Sequence, residues 1–311
     1  MQFTKKISNQ IQNYLNSEKK PLICVVGPTA TGKTEFGIEI AKNFSGEMIN
    51  CDSKQIYKDI ECITGLDYEE LKGVKNHFFG IAEITDNSWS SAKFLEELEK
   101  LIDEIYKRGK VPVLVGGTGL FFSSLIEGFE IPKNSTNPKI VEELEKKSNE
   151  ELFLELQKVD FEYSQKTHQN NRVRVIRALE FFYSSGIKKS SERKNIEKKF
   201  NPLIFCKKIF SDEERNILYE KINIREEKIF LNSIKKISEI LKNFSDDEKI
   251  FFEEQKKFPA LKSIGITEIF LFLKGKISKE EAILRIQQFA RNYAKRQMTW
   301  WRKKDGVDFV L

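Results

Sequence analysis

The stretch LICVVGPTATGKT, residues 22–34, decides the fold predicted for this chain. It places a complete G-x-x-x-x-G-K-[ST] pattern, with Gly27, Gly32, Lys33 and Thr34 at its fixed positions, directly after a short apolar run. A strand, a glycine-rich loop and a helix in this order turn backbone N–H groups and the positive end of the helix dipole toward one cavity. Lys33 adds a positive charge, and the Thr34 hydroxyl is suited to ligate Mg²⁺ on bound phosphates. The loop therefore predicts a polyphosphate ligand, for which a nucleoside triphosphate is the default.

Strand and helix signals alternate beyond this loop, as they do in a parallel sheet covered by helices. Apolar runs at residues 47–51 and 111–115 predict two further strands, and apolar residues at helical spacing predict helices at 33–43 and 91–107. The segment NPLIFCKKIF, residues 201–210, predicts a strand that returns to the sheet. Because ligands of open α/β sheets bind at the carboxyl ends of strands, the loops that follow these strands are candidates for one shared site.

The middle of the chain differs in composition from the part before it. Residues 130–140 are rich in Pro, Asn, Ser and Thr, as connectors are, and charged helical patterns follow at 141–158 and 172–184. We interpret this part as a small helical insertion. The predicted organisation is an N-terminal extension at 1–20 that is polar and without an assigned role, a catalytic core at 21–129 plus 198–311, and the insertion at 130–197.

The C-terminal part is predicted to be helical and is basic at its end. Ser211 with Glu214, and Ser278 with Glu281, form capping-box patterns that open two long helices. Residues 291–304 contain six basic residues and no acidic one. This segment fits an anionic partner, first of all nucleic acid, although a solvated helix face explains its charge equally well.

The composition is that of a globular protein with a modest positive charge. The 311 residues include 53 Lys and Arg against 47 Asp and Glu, which gives a formal charge of +6. The four cysteines form no C-x-x-C pair and only two histidines are present, so neither a zinc site nor a disulfide framework is expected. With no apolar run of membrane-spanning length and no signal-peptide pattern, we expect a cytoplasmic protein that does not enter a membrane.

Asp52 is the candidate acid–base residue, because it follows a predicted strand in the sequence CDSKQ. A carboxylate there suits either a Mg²⁺ ligand or a general base, and an exposed turn aspartate remains the alternative. The loop at residues 116–119, GGTG, follows a buried strand at which many ATPases carry an aspartate. Its lack of an acidic residue argues against simple ATP hydrolysis.

Five motifs in succession resemble those of bacterial tRNA dimethylallyltransferases, the tRNA isopentenyltransferase or IPP transferase family. They are GPTATGKT, CDSKQIY, RGKVPVLVGGTGL, NNRVRVIRALE and RNYAKRQMTWWR, and in the family's order they cover residues 21–305. The resemblance implies an α/β fold with a P-loop NTPase-like parallel sheet flanked by helices, a small helical insertion domain that contacts tRNA, and C-terminal helices.

The resemblance also implies the reaction and its partners. Enzymes of this family transfer a dimethylallyl group from dimethylallyl diphosphate to N6 of adenosine 37, beside the tRNA anticodon, and release diphosphate. The implied partners are dimethylallyl diphosphate, the tRNA anticodon stem-loop and Mg²⁺ held near Thr34, and we expect the chain to act as a monomer. Asp52 is the expected base, Thr118 positions the amine, and Lys33 neutralises the leaving group.

Two sets of binding residues are expected. The diphosphate set is Gly27, Pro28, Thr29, Ala30, Thr31, Gly32, Lys33, Thr34 and Arg215. The tRNA set is Asp52, Ser53, Lys54, Gln55, Thr118, Val173, Arg174, Val175, Ile176, Arg177, Arg291 and Lys295. On a helix, Arg174 and Arg177 share a side that Arg172 does not, and Arg291 and Lys295 share one face, while Tyr293 is expected to face the core. Trp300 and Trp301 suit either base stacking or packing, and we favour packing for one of them.

The sequence departs from the family pattern away from the phosphate loop, Asp52 and Thr118. An arginine of the insertion is replaced near Val141, and Asn171 stands in place of an aspartate. Ile266 and Thr267 replace a tyrosine and a basic residue, and Phe121 replaces a tyrosine. These differences concern the grip on tRNA rather than the reaction.

Three other functions compete with this interpretation. A nucleotide or metabolite kinase needs a lid over ATP and a phosphate-acceptor site, and the sequence shows a pattern for neither. An adenylate isopentenyltransferase shares the loop and the chemistry but uses a free nucleotide, which the basic C-terminal helix disfavours. A non-catalytic RNA-binding protein has no use for Lys33, Thr34, Asp52 and Thr118 together.

Overall fold

A computed structural model of the chain describes residues 3–127, 137–191 and 199–302. The strands are β1 Ile23–Val26, β2 Gly46–Asn50, β3 Asn76–His77, β4 Val111–Gly116 and β5 Leu203–Cys206. The helices are α1 Lys5–Ser17, α2 Lys33–Asn43, α3 Glu61–Thr64, α4 Ser91–Lys107, α5 Gly119–Glu127, α6 Pro138–Glu145, α7 Asn149–Val159, α8 Phe161–Gln165, α9 Arg172–Ser185, α10 Asp212–Leu241, α11 Glu248–Lys257, α12 Ile266–Leu273 and α13 Lys279–Arg302. Short 3₁₀ turns lie at Lys189–Ser191 and Pro259–Lys262.

The chain forms two compact units, one built from residues 1–126 and 198–311 and the other from residues 127–197. The first unit contains a parallel sheet in the order β3-β2-β4-β1-β5. Its central strands are buried on both faces, which explains why they are continuous apolar runs without polar alternation. The predicted α/β fold with a parallel sheet flanked by helices is confirmed.

Parallel strand order brings three loops together at one edge of the sheet. β1, β4 and β2 are neighbours, so the loops that follow their carboxyl ends lie side by side. The approach is close at Gly116, where an added Cβ would lie 2.3 Å from the carbonyl oxygen of Cys51. The backbone N–H of Cys51 also donates to the carbonyl of Val115. Glycine at position 116 therefore permits the contact between the loops after β2 and β4.

The described part of the N-terminal extension, residues 3–20, contributes to the core, a role that the sequence did not reveal. Ile7 and Ile11, one turn apart on α1, are fully buried in the same apolar cluster as Phe36 and Phe205. The Tyr14 hydroxyl accepts a hydrogen bond from the N–H of Leu22 and lies within hydrogen-bonding distance of the Leu22 and Asn201 carbonyl oxygens. The helix is thus fixed at the start of β1 and packs as part of the first unit.

The helices that follow β5, α10 to α13, include two long ones, α10 and α13, that pack against each other. α10 packs against α3, α12 and α13. Ser211 and Glu214 form the predicted capping box, and the Ser278 hydroxyl accepts from the N–H of Glu281 at the start of α13. In the described parts of the chain, no helix combines the length and the apolar composition that crossing a membrane requires.

The second unit packs α6, α7, α8 and α9 around an apolar cluster of its own that includes Leu144, Leu156 and Leu179. The single helix predicted at 141–158 is wrong, because α6 ends at Glu145 and α7 begins at Asn149. Ser148 stops the first helix and caps the second in a capping box with Glu151.

Candidate active site

Three loops of the first unit bring most of the expected catalytic residues together. The Thr118 hydroxyl, in the loop after β4, accepts a 3.3 Å hydrogen bond from the N–H of Ser53, in the loop after β2. The N–H of Thr118 donates to the carbonyl of Cys51. Two residues that lie far apart in sequence, Asp52 and Thr118, thus occupy adjoining loops beside the phosphate loop.

A fixed turn presents Asp52. Its Oδ1 accepts a 2.8 Å hydrogen bond from the N–H of Lys54. Asn50, fully buried at the end of β2, accepts from the N–H of Asp52 at 2.8 Å and donates to the Asp52 carbonyl and to the carbonyl of Phe78. The carboxylate is therefore held in one orientation by the strand that precedes it.

Two side chains of the phosphate loop donate hydrogen bonds to a carbonyl of the same loop. Lys33 Nζ donates a 2.6 Å hydrogen bond to the carbonyl of Pro28, and the Thr31 hydroxyl donates to the same carbonyl at 2.8 Å. Burial lowers the pKa of Lys33 to about 8, and the nearby charge of Asp52 opposes this effect while that of Arg225 adds to it. A phosphate that enters the loop offers Lys33 the anionic partner that the buried ammonium group requires.

Arg225 joins this group, although the sequence analysis did not identify it. Its guanidinium donates to the Thr29 hydroxyl at 3.3 Å, to Glu226 at 2.8 Å and to the carbonyl of Thr64 at 3.3 Å. Glu226 is only 5% exposed, and burial raises its pKa while Arg225 opposes that rise. A single arginine thus lies between the phosphate loop and a buried carboxylate.

Arg215, the arginine expected at the diphosphate, lies elsewhere on α10. It is ten residues from Arg225, which places it about 15 Å away along the helix axis on another face. It pairs with Asp212 at 3.0 Å and lines a separate pocket that includes Pro28. The sequence shows two arginines on one helix, and only the docking of α10 against the loops distinguishes them.

Thr29 of the phosphate loop, Asp52 and Arg225 line one cavity of about 240 Å³. Asp52 and Arg225 line it together with the apolar side chains of Ile63, Ile264 and Ala290. Its charged lining also includes Lys54, Glu226, Lys262 and Arg296. A cavity with an apolar part, a carboxylate and several cations suits a small ligand that carries both an anionic and an apolar group.

Tyr293 lines this cavity, contrary to the expectation that it faces the core. Burial and the charge of Asp52 raise the pKa of its phenol, while hydrogen bonds with Thr118 and Gln297 oppose that rise.

Burial lowers the pKa of Lys54 to about 8, and Lys54 Nζ donates to the carbonyl of Pro259 at 2.6 Å. The Gln55 side chain donates to the carbonyl of Thr64.

The expected tRNA contacts on α9 divide into exposed and buried residues. Val173 is 72% exposed, and Arg174 is exposed as well, whereas Val175 and Ile176 are buried in the apolar cluster of the second unit. The side chains of Val175 and Ile176 are therefore not accessible to RNA, because they hold α9 in its unit. Arg177 pairs with the buried Glu180 at 2.6 Å.

Arg172, at the start of α9, has a structural role. Its guanidinium donates to the Glu145 carboxylate, to the Glu145 carbonyl and to the Asn149 side chain. It therefore joins α9 to the junction between α6 and α7.

On α13 the expected tRNA residues also differ from each other. Arg291 is half-buried and donates to Asn223 of α10 and to Gln288, while Lys295 is exposed.

Trp301 is 2% exposed and packs edge-on against Phe122, with 5.5 Å between ring centroids. Trp300 packs against Gly119, where an added Cβ would clash with its ring. Both tryptophans contact the start of α5.

The donor set fits a Mg²⁺ ion that is carried by phosphates. Among the described residues, no group of three or more His, Cys, Asp or Glu side chains is placed to hold a metal. Thr34 lies in the first turn of α2, directly after the phosphate loop. Because Mg²⁺ keeps few protein ligands and takes its other ligands from phosphates and water, a single hydroxyl at this position is compatible with it.

The fold and the site define a P-loop NTPase-like protein in which the phosphate loop faces a carboxylate and an arginine. A sequence model of the IPP transferase family, described as IPP transferase, matches residues 55–304. The tRNA dimethylallyltransferases of Bacillus mycoides and Bacillus anthracis are each 33% identical to this chain over 296 residues, which are 93% of this chain and 89% and 90% of the relatives. The chain belongs to the IPP transferase family.

Solved structures agree with this assignment. A tRNA isopentenylpyrophosphate transferase from Staphylococcus epidermidis has a TM-score of 0.64 and 33% identity, over 94% of this chain and 93% of the other. A eukaryotic dimethylallyltransferase acting on tRNA has a TM-score of 0.77 and 28% identity, over 94% of this chain and 74% of the other.

Proposed function

We propose that this chain is a tRNA dimethylallyltransferase that transfers the dimethylallyl group of dimethylallyl diphosphate to N6 of adenosine 37. The observation that carries the proposal is the single cavity that Asp52, Arg225 and Thr29 of the phosphate loop line together. In the reaction the allylic C1–O bond breaks and its electron pair leaves with the diphosphate. A bond between N6 and C1 forms, and N6 loses one proton.

The leaving group develops negative charge at the phosphate loop. The loop amides, Lys33 and Arg225 are placed to stabilise that charge, which is worth most in a site that excludes water. Thr34 would hold Mg²⁺ at the phosphate loop, and the ion would supply Lewis-acid stabilisation of the same leaving group. Arg225 takes the role that the sequence had suggested for Arg215, because its guanidinium lies against Thr29.

The amine is activated by Asp52 and Thr118. The lone pair of an adenine amine is delocalised into the ring, so removal of its proton during attack favours the reaction. Asp52 accepts that proton, and Thr118, bonded to the same turn, orients the amine. Ile63, Ile264 and Ala290 provide an apolar wall for the dimethylallyl group and favour transfer to nitrogen over hydrolysis.

The base enters the cavity unstacked from the anticodon loop, as bases do in enzymes that modify them. Ser53, Lys54 and Gln55 lie next to Asp52 and meet the extruded nucleotide. Lys295 on the first unit, and Val173 with Arg174 on the second, are exposed and suited to contact the RNA. A tRNA substrate supports a cytoplasmic location, and the chain is proposed to act as a monomer.

The proposed function is tested with the full chain, dimethylallyl diphosphate, Mg²⁺ and an unmodified tRNA transcript. AMP and ATP are present as competing acceptors, and mass spectrometry of digested RNA locates the product. We expect dimethylallyl adenosine at position 37 and none in a transcript with guanosine there. Transfer to AMP in preference to tRNA contradicts the proposal.

The pKa of Lys33 gives this reaction a pH dependence. With its pKa lowered to about 8, Lys33 is charged below that pH and loses its charge above it in the ligand-free protein. We expect the KM for dimethylallyl diphosphate at saturating tRNA to rise above pH 8, by up to about tenfold per pH unit. The variant Lys33→Arg keeps its charge and serves as the control. An equal rise in both proteins contradicts the assignment.

Lys295 is expected to contribute to tRNA affinity through phosphate contact. For Lys295→Ala, the slope of log K for tRNA against log salt should become less negative by about one unit. Lys279→Ala removes an exposed lysine about 24 Å away at the other end of α13 and is the matched control. The same slope in both variants argues against an RNA contact at Lys295, and dimethylallyl diphosphate affinity should not change in either.

A further inference from the structure

Gln297 links two of the loops that form the cavity. It lies on α13 and is 5% exposed. Its side-chain oxygen accepts a 2.9 Å hydrogen bond from the N–H of Thr29, in the phosphate loop. Its side-chain nitrogen donates a 3.2 Å hydrogen bond to the carbonyl of Gly117, in the loop that carries Thr118. One buried amide thus bridges the loop for the leaving group and the loop for the acceptor.

The orientation of this amide is determined by its partners. Thr29 offers an N–H and Gly117 offers a carbonyl oxygen, so a reversed amide would set donor against donor and acceptor against acceptor. The hydrogen bond to Gly117 is buried and the one from Thr29 is partly buried, and in a buried position an unmade bond costs the desolvation of the group left alone. Other side chains of similar size, such as methionine, fill the same space without making either bond.

The Gln297 side chain leaves no room for a Cβ at Gly117. An added Cβ at position 117 would lie 1.9 Å from Gln297 Nε2 and 3.3 Å from the carbonyl oxygen of Gly27. The φ of Gly117 is not in the left-handed region, so its backbone conformation is open to other residues. The requirement for glycine there comes from the approach of Gln297 rather than from the backbone.

We propose that Gln297 is a positioning residue that sets the separation between the departing diphosphate and the attacking amine. The inference rests on the proposed function, since it concerns the distance between the two ends of that reaction. Thr29 contacts Arg225, the proposed diphosphate ligand, through its hydroxyl. Gly117 precedes Thr118, which is proposed to orient the amine. Gln297 therefore links the residues on the diphosphate side to those on the amine side. A displacement of about 1 Å between reacting groups can cost about 100-fold in rate.

The first test compares Gln297→Met with Gln287→Met. Gln287 is on the same helix and donates to the carbonyl of Asn223, away from the loops, so it is a control amide with its own hydrogen bond, although it is only partly buried. We expect Gln297→Met to lower kcat about 10- to 100-fold, with the KM values for both substrates changed less than about threefold. Gln287→Met should keep kcat within about twofold. Equal losses of kcat in the two variants, at equal losses of Tm, overturn the proposal.

The second test is a double-mutant cycle with Gly117→Ala. In the wild-type background its Cβ displaces Gln297, so we expect a loss of kcat similar to that of Gln297→Ala. In the Gln297→Ala background the clash with the Gln297 amide is removed and only the 3.3 Å approach to the Gly27 carbonyl oxygen remains, so Gly117→Ala should then cost less than about threefold. Additive losses overturn the proposal. If the wild-type chain transfers nothing to tRNA, the proposed function fails together with this inference, whereas an active wild type with additive losses rejects the role of Gln297 alone.

Discussion

Replacement of Asp52 by asparagine is expected to lower kcat for dimethylallyl transfer by about 10²- to 10⁴-fold, the range that a positioned general base contributes. Asparagine keeps the shape of the side chain and can still accept the hydrogen bond from the N–H of Lys54. The turn therefore remains, and only the proton acceptor is removed. The affinities for tRNA and for dimethylallyl diphosphate should change less than about threefold.

The matched control for this variant is Asp67→Asn. Asp67 accepts a hydrogen bond from the N–H of Glu69 in a turn of the same kind, but it is exposed and lies outside the cavity. Single-turnover measurements with saturating substrates report the chemical step in both variants. A chemical rate in Asp52→Asn as high as that of Asp67→Asn rejects Asp52 as the base.

Loss of Arg225 is expected to be the second large effect. We expect Arg225→Ala to lower kcat for dimethylallyl transfer by about 10²- to 10³-fold, because a donor aimed at developing charge acts mainly in the transition state. Arg215→Ala should lower it less than about threefold, since Arg215 pairs with Asp212 in the first turn of α10. Measurement of kcat and KM in parallel decides which arginine faces the leaving group.

Arg225→Ala also leaves Glu226 buried without its partner, which lowers stability. Arg225→Lys separates the two effects, because lysine keeps the charge but cannot make the forked contacts to Thr29, Glu226 and Thr64. We expect its Tm to lie closer to that of the wild type while its kcat remains reduced. A larger loss in Arg215→Ala than in either Arg225 variant contradicts the assignment.

The parts of the site that the sequence predicted well are those set by local chain geometry. The phosphate loop is a contiguous pattern, and Asp52 and Thr118 each follow a buried strand. Once the strands are parallel and adjacent, their carboxyl ends meet. The strand at 201–210 was recognised as well, because its apolar run contrasts with its charged surroundings.

The parts that were missed depend on how helices dock. Arg215 and Arg225 are equivalent in a helical pattern, and only the packing of α10 shows that Arg225 contacts Thr29 of the phosphate loop. Val175 and Ile176 belong to an RNA-binding motif by resemblance, yet their burial follows from the packing of α9 in its unit.

Two further differences concern the break between α6 and α7 and the burial of α1. Charged residues continue at helical spacing through 141–158, so the pattern alone did not show that Ser148 interrupts the helix as an N-cap. Residues 1–20 contain few apolar side chains, and Ile7 with Ile11 gain their burial from the sheet that they cover.

The pairing of Arg225 with Glu226 bears on turnover. A cavity that held uncompensated cations would attract the product diphosphate as strongly as the donor, and its departure would then limit the rate. Here the buried carboxylate of Glu226 lies next to the Arg225 guanidinium and competes with the diphosphate for it. We expect Glu226 to pair with Arg225 again once the diphosphate has left, so that an internal carboxylate takes the place of the product at this guanidinium.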